Sequence, residues 1–321
     1  MSLFVLYRAT TFGIRPAWAA GVRQRLSSRS RETLESIFSF SSLPLAWLSR
    51  LPAPRAAQTV LEAAQQIPAA ERLPMLTLPT GLAPSGEEVL QRVAEKRRWS
   101  EEDKEQLVSA YGRLPTPPSK GIETMLTCWT DLETWGERYL LALQEYHRVF
   151  FQEEEAHLVP LLESALRESQ RLAETLSPFD LLERLSRGVR LQDEGQIEQL
   201  ILFPSWWVHP LVFLGYKENL AFVVFSARWH VAQPLSFEPP EELIQVFKAL
   251  GDSTRLRILR YLSGRPLTPS ELARRLRLRL PTILHHLQIL RLAGLVQVMI
   301  GKDYEKRYAL RVEALEETDR F

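Results

Sequence analysis

The four residues Thr268-Pro269-Ser270-Glu271 constrain this chain more than any other stretch. A threonine hydroxyl placed three residues before a glutamate accepts from the glutamate's backbone N–H, and the glutamate accepts in return from the threonine's. Proline is already set for the first helical position. A helix therefore starts here, and Leu272, Ala273 and Leu276 give it one apolar face. Arg277-Leu278-Arg279 separates it from a second helix over 280–293, which stops at Gly294. In that helix Ile283, Leu287 and Leu290 recur at i, i+4 and i+7, so they face the core. Two helices joined by a three-residue turn make a helix-turn-helix.

The signals continue on both sides. Residues 241–250 form an amphipathic helix with Leu243, Phe247 and Leu250 on its buried face and Gly251 as its stop. Asp252 or Ser253 caps a helix over 254–262 whose buried stripe is Leu256, Leu259 and Leu262. Two strands, 295–300 and 304–310, meet at Gly301-Lys302-Asp303 and form a β-hairpin wing.

Charge separates this unit from the rest. Residues 241–311 hold 14 Lys and Arg against 6 Asp and Glu, whereas the remainder holds 26 against 33. A basic module joined to an acidic one implies that the basic one meets a polyanion. With Ile283, Leu287 and Leu290 inward, Arg279, Leu280, Leu284, His285 and Gln288 point outward, with Thr282 at the boundary. A helix that presents its N-terminal end with a polar flank suits the DNA major groove. Arg274, Arg275 and Arg277, with Lys302, Lys306 and Arg307 of the wing, are the cations expected to meet phosphates.

Residues 243–310 resemble the winged helix of ArsR-type transcriptional regulators. The resemblance is carried by 250–259 (LGDSTRLRIL), 270–273 (SELA), 282–287 (TILHHL) and 292–296 (LAGLV), in order and at matching spacing. It implies a homodimer that binds a pseudo-palindromic operator in double-stranded DNA, usually as a repressor released by a signal. The sequence also departs from the family. Thr268 and Ser270 stand where metal-sensing members carry a Cys-x-Cys pair, and residues 311–321 hold no histidine, so no metal site is expected. Arg279 replaces the usual capping serine and Leu280 a usual glutamine. Leu280 and Leu284 would then meet thymine methyls or signal weak, shape-based specificity.

The preceding residues carry fewer signals. Residues 2–9 alternate weakly, like a strand. No acid precedes Glu32, whereas Arg8, Arg15, Arg23, Arg25, Arg29 and Arg31 lie nearby, a composition that also resembles a transit peptide. Helices are expected over 31–51 with an interruption at Pro44, and over 54–66, 87–98 and 100–111. Residues 67–85, with four prolines, read as an irregular loop or hinge. The longest helical stretch runs from Asp131 to about 176, bent or broken at Pro160. The period then changes to two. Strand-like residues 196–203 precede a hairpin over 211–225, turning at Lys217-Glu218-Asn219 and giving a small antiparallel sheet. Residues 229–240, with three prolines, read as a linker.

Chemistry is sparse. Glu153 and His157 share a helix face, but two ligands do not close a metal site. Trp206, Trp207 and His209 are the ligand-binding candidates, because adjacent tryptophans on a strand point opposite ways, one inward and one toward a pocket. A single cysteine, Cys128, excludes an intrachain disulfide and fits a reducing compartment. No run reaches the ~20 apolar residues of a membrane span.

The expected fold class is α+β and mostly helical. Residues 1–228 form an N-terminal sensing or dimerisation domain, 229–240 a linker, and 241–321 a winged helix-turn-helix. The expected function is that of a cytoplasmic DNA-binding transcriptional regulator, a homodimer and not an enzyme, without a cofactor and with room for a small-molecule effector in the N-terminal domain. The rival is a winged helix that docks an acidic protein partner, and the −7 remainder of this chain offers one such surface.

Overall fold

The computed structural model describes the chain except residues 13, 54, 113, 192–193, 209–210, 231–240, 302–304 and 312–321 and the side chains of 10, 11, 194, 229, 230, 241 and 242. The chain is 63% helical with two small mixed three-stranded sheets, an α+β fold. The first helices are α1 (Ser2–Leu6), α2 (Pro16–Gln24), α3 (Ser28–Phe38), α4 (Leu45–Leu48), α5 (Ala57–Gln66) and α6 (Ala69–Thr77). Then come α7 (Pro84–Lys96), α8 (Glu101–Tyr111), α9 (Ser119–Trp129) and α10 (Leu132–Tyr146). A π turn, His147–Phe151, leads into α11 (Gln152–Ala173), followed by α12 (Pro178–Ser186). Strands β1 (Val189–Leu191), β2 (Gln199–Ser205), β3 (Phe213–Lys217) and β4 (Leu220–Ser226) come next. The last elements are α13 (Glu241–Leu250), α14 (Ser253–Leu262), α15 (Pro269–Leu276), α16 (Leu280–Leu292), β5 (Val296–Ile300) and β6 (Lys306–Leu310).

The largest core lies among α1–α11. Leu34, Ile37, Leu73, Val93, Leu107, Ile122 and Leu126 are fully buried there, as is Cys128, whose thiol burial pushes up to about 12. Close approach fixes α6 on α10. Gly136 of α10 lies directly against the Ala69 backbone carbonyl, where a Cβ has no room. Beside it the buried Arg72 guanidinium donates to Glu137 at 2.7 Å and to the Gln65 carbonyl at 3.3 Å, so its charge is paired. A second, separate core gathers Val246, Ala249, Ile258, Leu262, Leu272, Leu276, Ile283, Leu287, Leu290 and Val296 from α13–α16 and β5.

Several sequence expectations change. Residues 2–9 hold α1 and a following 3-10 turn rather than a strand, because Val5 and Leu6 are adjacent and both fully buried, which period-two exposure does not allow. Residues 67–85 contain α6 in place of an irregular loop. Pro74 lies inside it and forfeits one backbone bond, and the burial of Leu73 and Leu76 on either side offsets that loss. The long helix passes through Pro160 without ending. The ladder changes upstream at the π turn, where Phe150 enters the core. On α13, Phe247 is 62% exposed and Val246 and Ala249 face inward; on α14, Leu256 is 49% exposed and Ile258 is buried. The expected apolar phase of α13 and α14 was therefore off at these positions, because both helices carry apolar residues on more than one side.

The N-terminal sheet has the order β2-β4-β3. Its β3–β4 hairpin is antiparallel and turns at Glu218, whose φ is 55°. Strand β2 runs parallel to β4 over seven residue pairs, so the sheet is mixed and not purely antiparallel. Pro204 is tolerated because β2 is an edge strand. The other sheet has the order β1-β5-β6, with an isolated bridge from Tyr308 to Leu267. The wing hairpin thus takes its outer strand, β1, from the N-terminal part of the chain.

Candidate nucleic-acid interface

The capping box forms as the sequence dictates. The Glu271 N–H donates to Thr268 Oγ1 at 3.2 Å, and the Thr268 N–H donates to Glu271 Oε2 at 2.8 Å. That backbone donor holds the Glu271 carboxyl below the usual carboxylate range, helped by Arg265 and Arg307. Helix α15 buries Leu272 and Leu276 and leaves Arg274 and Arg275 exposed near its C-terminal end. Positive charge there also complements the helix dipole. Arg277 takes the left-handed conformation, φ 55°, and the Leu278 N–H donates to the Ala273 carbonyl at 3.0 Å, closing the turn.

Arg279 then occupies the N-cap of α16 with extended backbone and no side-chain cap bond. The first N–H groups of α16 therefore gain no acceptor from their N-cap side chain, and they carry the positive end of the helix dipole. Ile283, Leu287 and Leu290 are at most 1% exposed and anchor the helix. Arg279, Leu280, Thr282, Leu284, His285 and Gln288 are all exposed, with Leu280 at 41% and Leu284 at 45%. Arg274, Arg275 and Arg277 are exposed on the helix and turn just before them. The surface is a cationic rim around an apolar and amide-bearing helix face, the composition that phosphate contacts and base-edge contacts require.

The wing contributes less than its charges suggest. Arg307 lies 3.1 Å from Glu305 and 3.8 Å from Glu271, so two carboxylates already engage it. Lys306 is exposed as a residue. Its ammonium is nevertheless pushed below its ordinary value by partial loss of water and by the neighbouring Arg291 guanidinium. Lys302 lies outside the described residues. Arg275 stacks over the Tyr261 ring with 5.7 Å to its centroid, which fixes one of the rim cations.

The second group of candidates lies just after β2. Trp206 and Trp207 follow β2 in a turn rather than sitting on a strand. Trp207 packs inward, 5.1 Å from the Trp18 ring, and Trp206 lies under the Arg228 guanidinium at 4.7 Å. His209 is outside the described residues. An open cleft of about 310 Å³ lies elsewhere, lined by Gln58, Glu62, Gln65, Gln144, His147 and Gln152 among others. His147 reaches Glu155 at 3.9 Å, and among the described residues no three His, Cys, Asp or Glu side chains gather as a metal site. Sequence reasoning missed β1. Its only signal is Val189-Arg190-Leu191 after Gly188, too short an alternation to distinguish from a loop.

A family model described as a helix-turn-helix domain matches residues 250–298, the span from the end of α13 into β5. No curated protein and no solved structure matches the chain. The match places a DNA-binding helix-turn-helix domain at the geometric site described above. No helix among the described residues is long and apolar enough to cross a membrane.

Proposed function

We propose that this chain is an ArsR-type transcriptional regulator that represses by binding operator DNA as a homodimer. The α16 N-terminal end enters the major groove, with Arg279 toward a guanine edge or a phosphate and Thr282, His285 and Gln288 toward base edges. Leu280 and Leu284 meet thymine methyls. Arg274, Arg275 and Arg277 contact phosphates, and the wing adds weaker contacts through Lys306 and through Arg307, which must first leave Glu305 and Glu271. Residues 1–228 serve sensing and dimerisation, joined by 229–240, and the protein works in the cytoplasm. The observation that carries this reading is the coincidence of the helix-turn-helix match with an exposed α16 end surrounded by exposed arginines.

The test is selection of bound sequences from a random duplex pool, with the molar mass of the complex measured in the same solution. Enrichment of an inverted repeat whose half-sites lie about one DNA turn apart supports the reading. Enrichment of no sequence, together with capture of the basic module by an acidic protein, would replace DNA by a protein partner.

A further inference from the structure

Every β-sheet edge exposes unpaired N–H and C=O groups, and an exposed edge invites a strand. In the wing, β6 is bridged to Leu267 on one side and paired with β5 on the other. The free edge is therefore that of β5, and β1 fills it in parallel, with Val189 beside Val298, Arg190 beside Met299 and Leu191 beside Ile300. The Val298 N–H donates to the Gly188 carbonyl at 3.1 Å. Val189 is 0% and Leu191 4% exposed, so the strand is also held by apolar burial.

Strand β1 is bound just as closely to the N-terminal body. Leu191 packs with Leu182, Tyr216, Ala221 and Val223, and Arg190 pairs with Glu183 of α12 at 2.7 Å. Leu185 of α12 meets Phe225 of β4, and Leu172 and Leu176 pack beside them. The join needs glycine. Gly188 has φ +95°, and a Cβ there would lie 2.8 Å from the Gln297 Cβ of β5. A three-residue strand thus links a large body to the wing.

We propose that β1 is a coupling strand: docked on β5, it pre-orders the wing for DNA, and its release from β5 weakens DNA binding. This rests on the DNA-binding reading. An undocked wing must lose its freedom on the duplex, and that entropy lowers affinity. Anything that moves α12 relative to the winged helix then changes affinity through β1, with no ligand contact to α16 needed.

The full-length chain tests it. Val298→Pro removes the N–H that β5 donates to the Gly188 carbonyl at the start of the join; that N–H faces away from the β6 ladder, and β5 becomes an edge strand, where proline is accepted, once β1 leaves. Gly188→Ala pushes on the same join from the other side and leaves the winged-helix sequence intact. Arg190→Cys/Met299→Cys places two thiols on directly paired positions, and oxidation locks the dock. Cys128 is buried and stays out of that exchange. Binding is read by fluorescence anisotropy on one duplex taken from the selected pool, with far-ultraviolet circular dichroism confirming the fold.

We expect the oxidised pair to bind like wild type and both undocking variants to bind at least about fivefold more weakly, the lower end of ordinary coupling between sites. Folded undocking variants that bind as wild type, or more tightly, overturn the coupling, as does loss of binding on crosslinking. A wild-type chain that binds no duplex overturns the DNA reading instead, and the crosslinking yield still reports whether β1 docks.

Discussion

Leu280 and Leu284 distinguish a reading surface from a core at the scale of single residues. Both are large, apolar and about half exposed on a helix whose neighbouring Ile283 and Leu287 are buried. Replacing both by alanine should change thermal stability by no more than about 0.5 kcal/mol while weakening binding to sites rich in thymine. Ile283→Ala should cost about 2–5 kcal/mol in denaturant unfolding, because it empties a packed position. Equal stability losses at the two kinds of site would contradict the assignment. Gly136→Ala belongs to the same scale. Its Cβ meets the Ala69 carbonyl, which is backbone, so we expect a loss of about 3 kcal/mol or more from overpacking. A change below about 0.5 kcal/mol would mean that α6 and α10 can separate freely.

The inward set Ile283, Leu287 and Leu290 was legible from its i, i+4, i+7 spacing, although Leu280 and Leu284 place further apolar residues on the exposed side of α16. Phe247 and Leu256 were not. On α13 the row Leu243, Val246 and Leu250 competes with Ile244 and Phe247, and spacing alone does not say which row packs.

At the scale of elements, caps decided the helix-turn-helix. The box at Thr268 and the side-chain cap of Asp252, which accepts from the Arg255 N–H at 2.9 Å, both start helices where the residue types require it. Thr268→Ala should lower stability by about 1 kcal/mol. Backbone N–H donors hold the carboxyls of Glu271 and Asp252 below the usual range. A carboxyl depressed on folding contributes stability above its unfolded pKa and loses it as pH falls through its folded value. Stability should therefore decline on acidification below about pH 4, and Glu271→Gln should flatten that decline while lowering stability at neutral pH. An acid limb identical in Glu271→Gln and wild type would refute the role of this carboxylate.

Elements that depend on distant contacts were harder to see. Helix α6 contains Pro74 and has an unremarkable start, and it is helical because α10 and Arg72 hold it. Strand β1 has three residues, and its partner lies more than a hundred residues away in sequence. Local pattern carries no information about either.

At the scale of the whole molecule, the basic surplus of residues 241–311 against the acidic remainder is a property of sequence, and it survives as the exposed arginines of α15 and of the turn that leads into α16. What the sequence did not reveal is that the two regions share a sheet. The N-terminal body is attached to the wing by β1 as well as by the chain through 231–240. A sensing role for the body thus has a physical route to the DNA-binding elements.

The most direct measurement is the salt dependence of duplex binding by wild type and by an Arg274→Ala/Arg275→Ala/Arg279→Ala variant. If the α15–α16 surface binds DNA, affinity falls steeply with salt, and the variant's log–log slope is shallower by about 0.9 for each phosphate contact removed. A wild-type affinity independent of salt, or a variant with the wild-type slope and affinity, would contradict DNA binding at this surface.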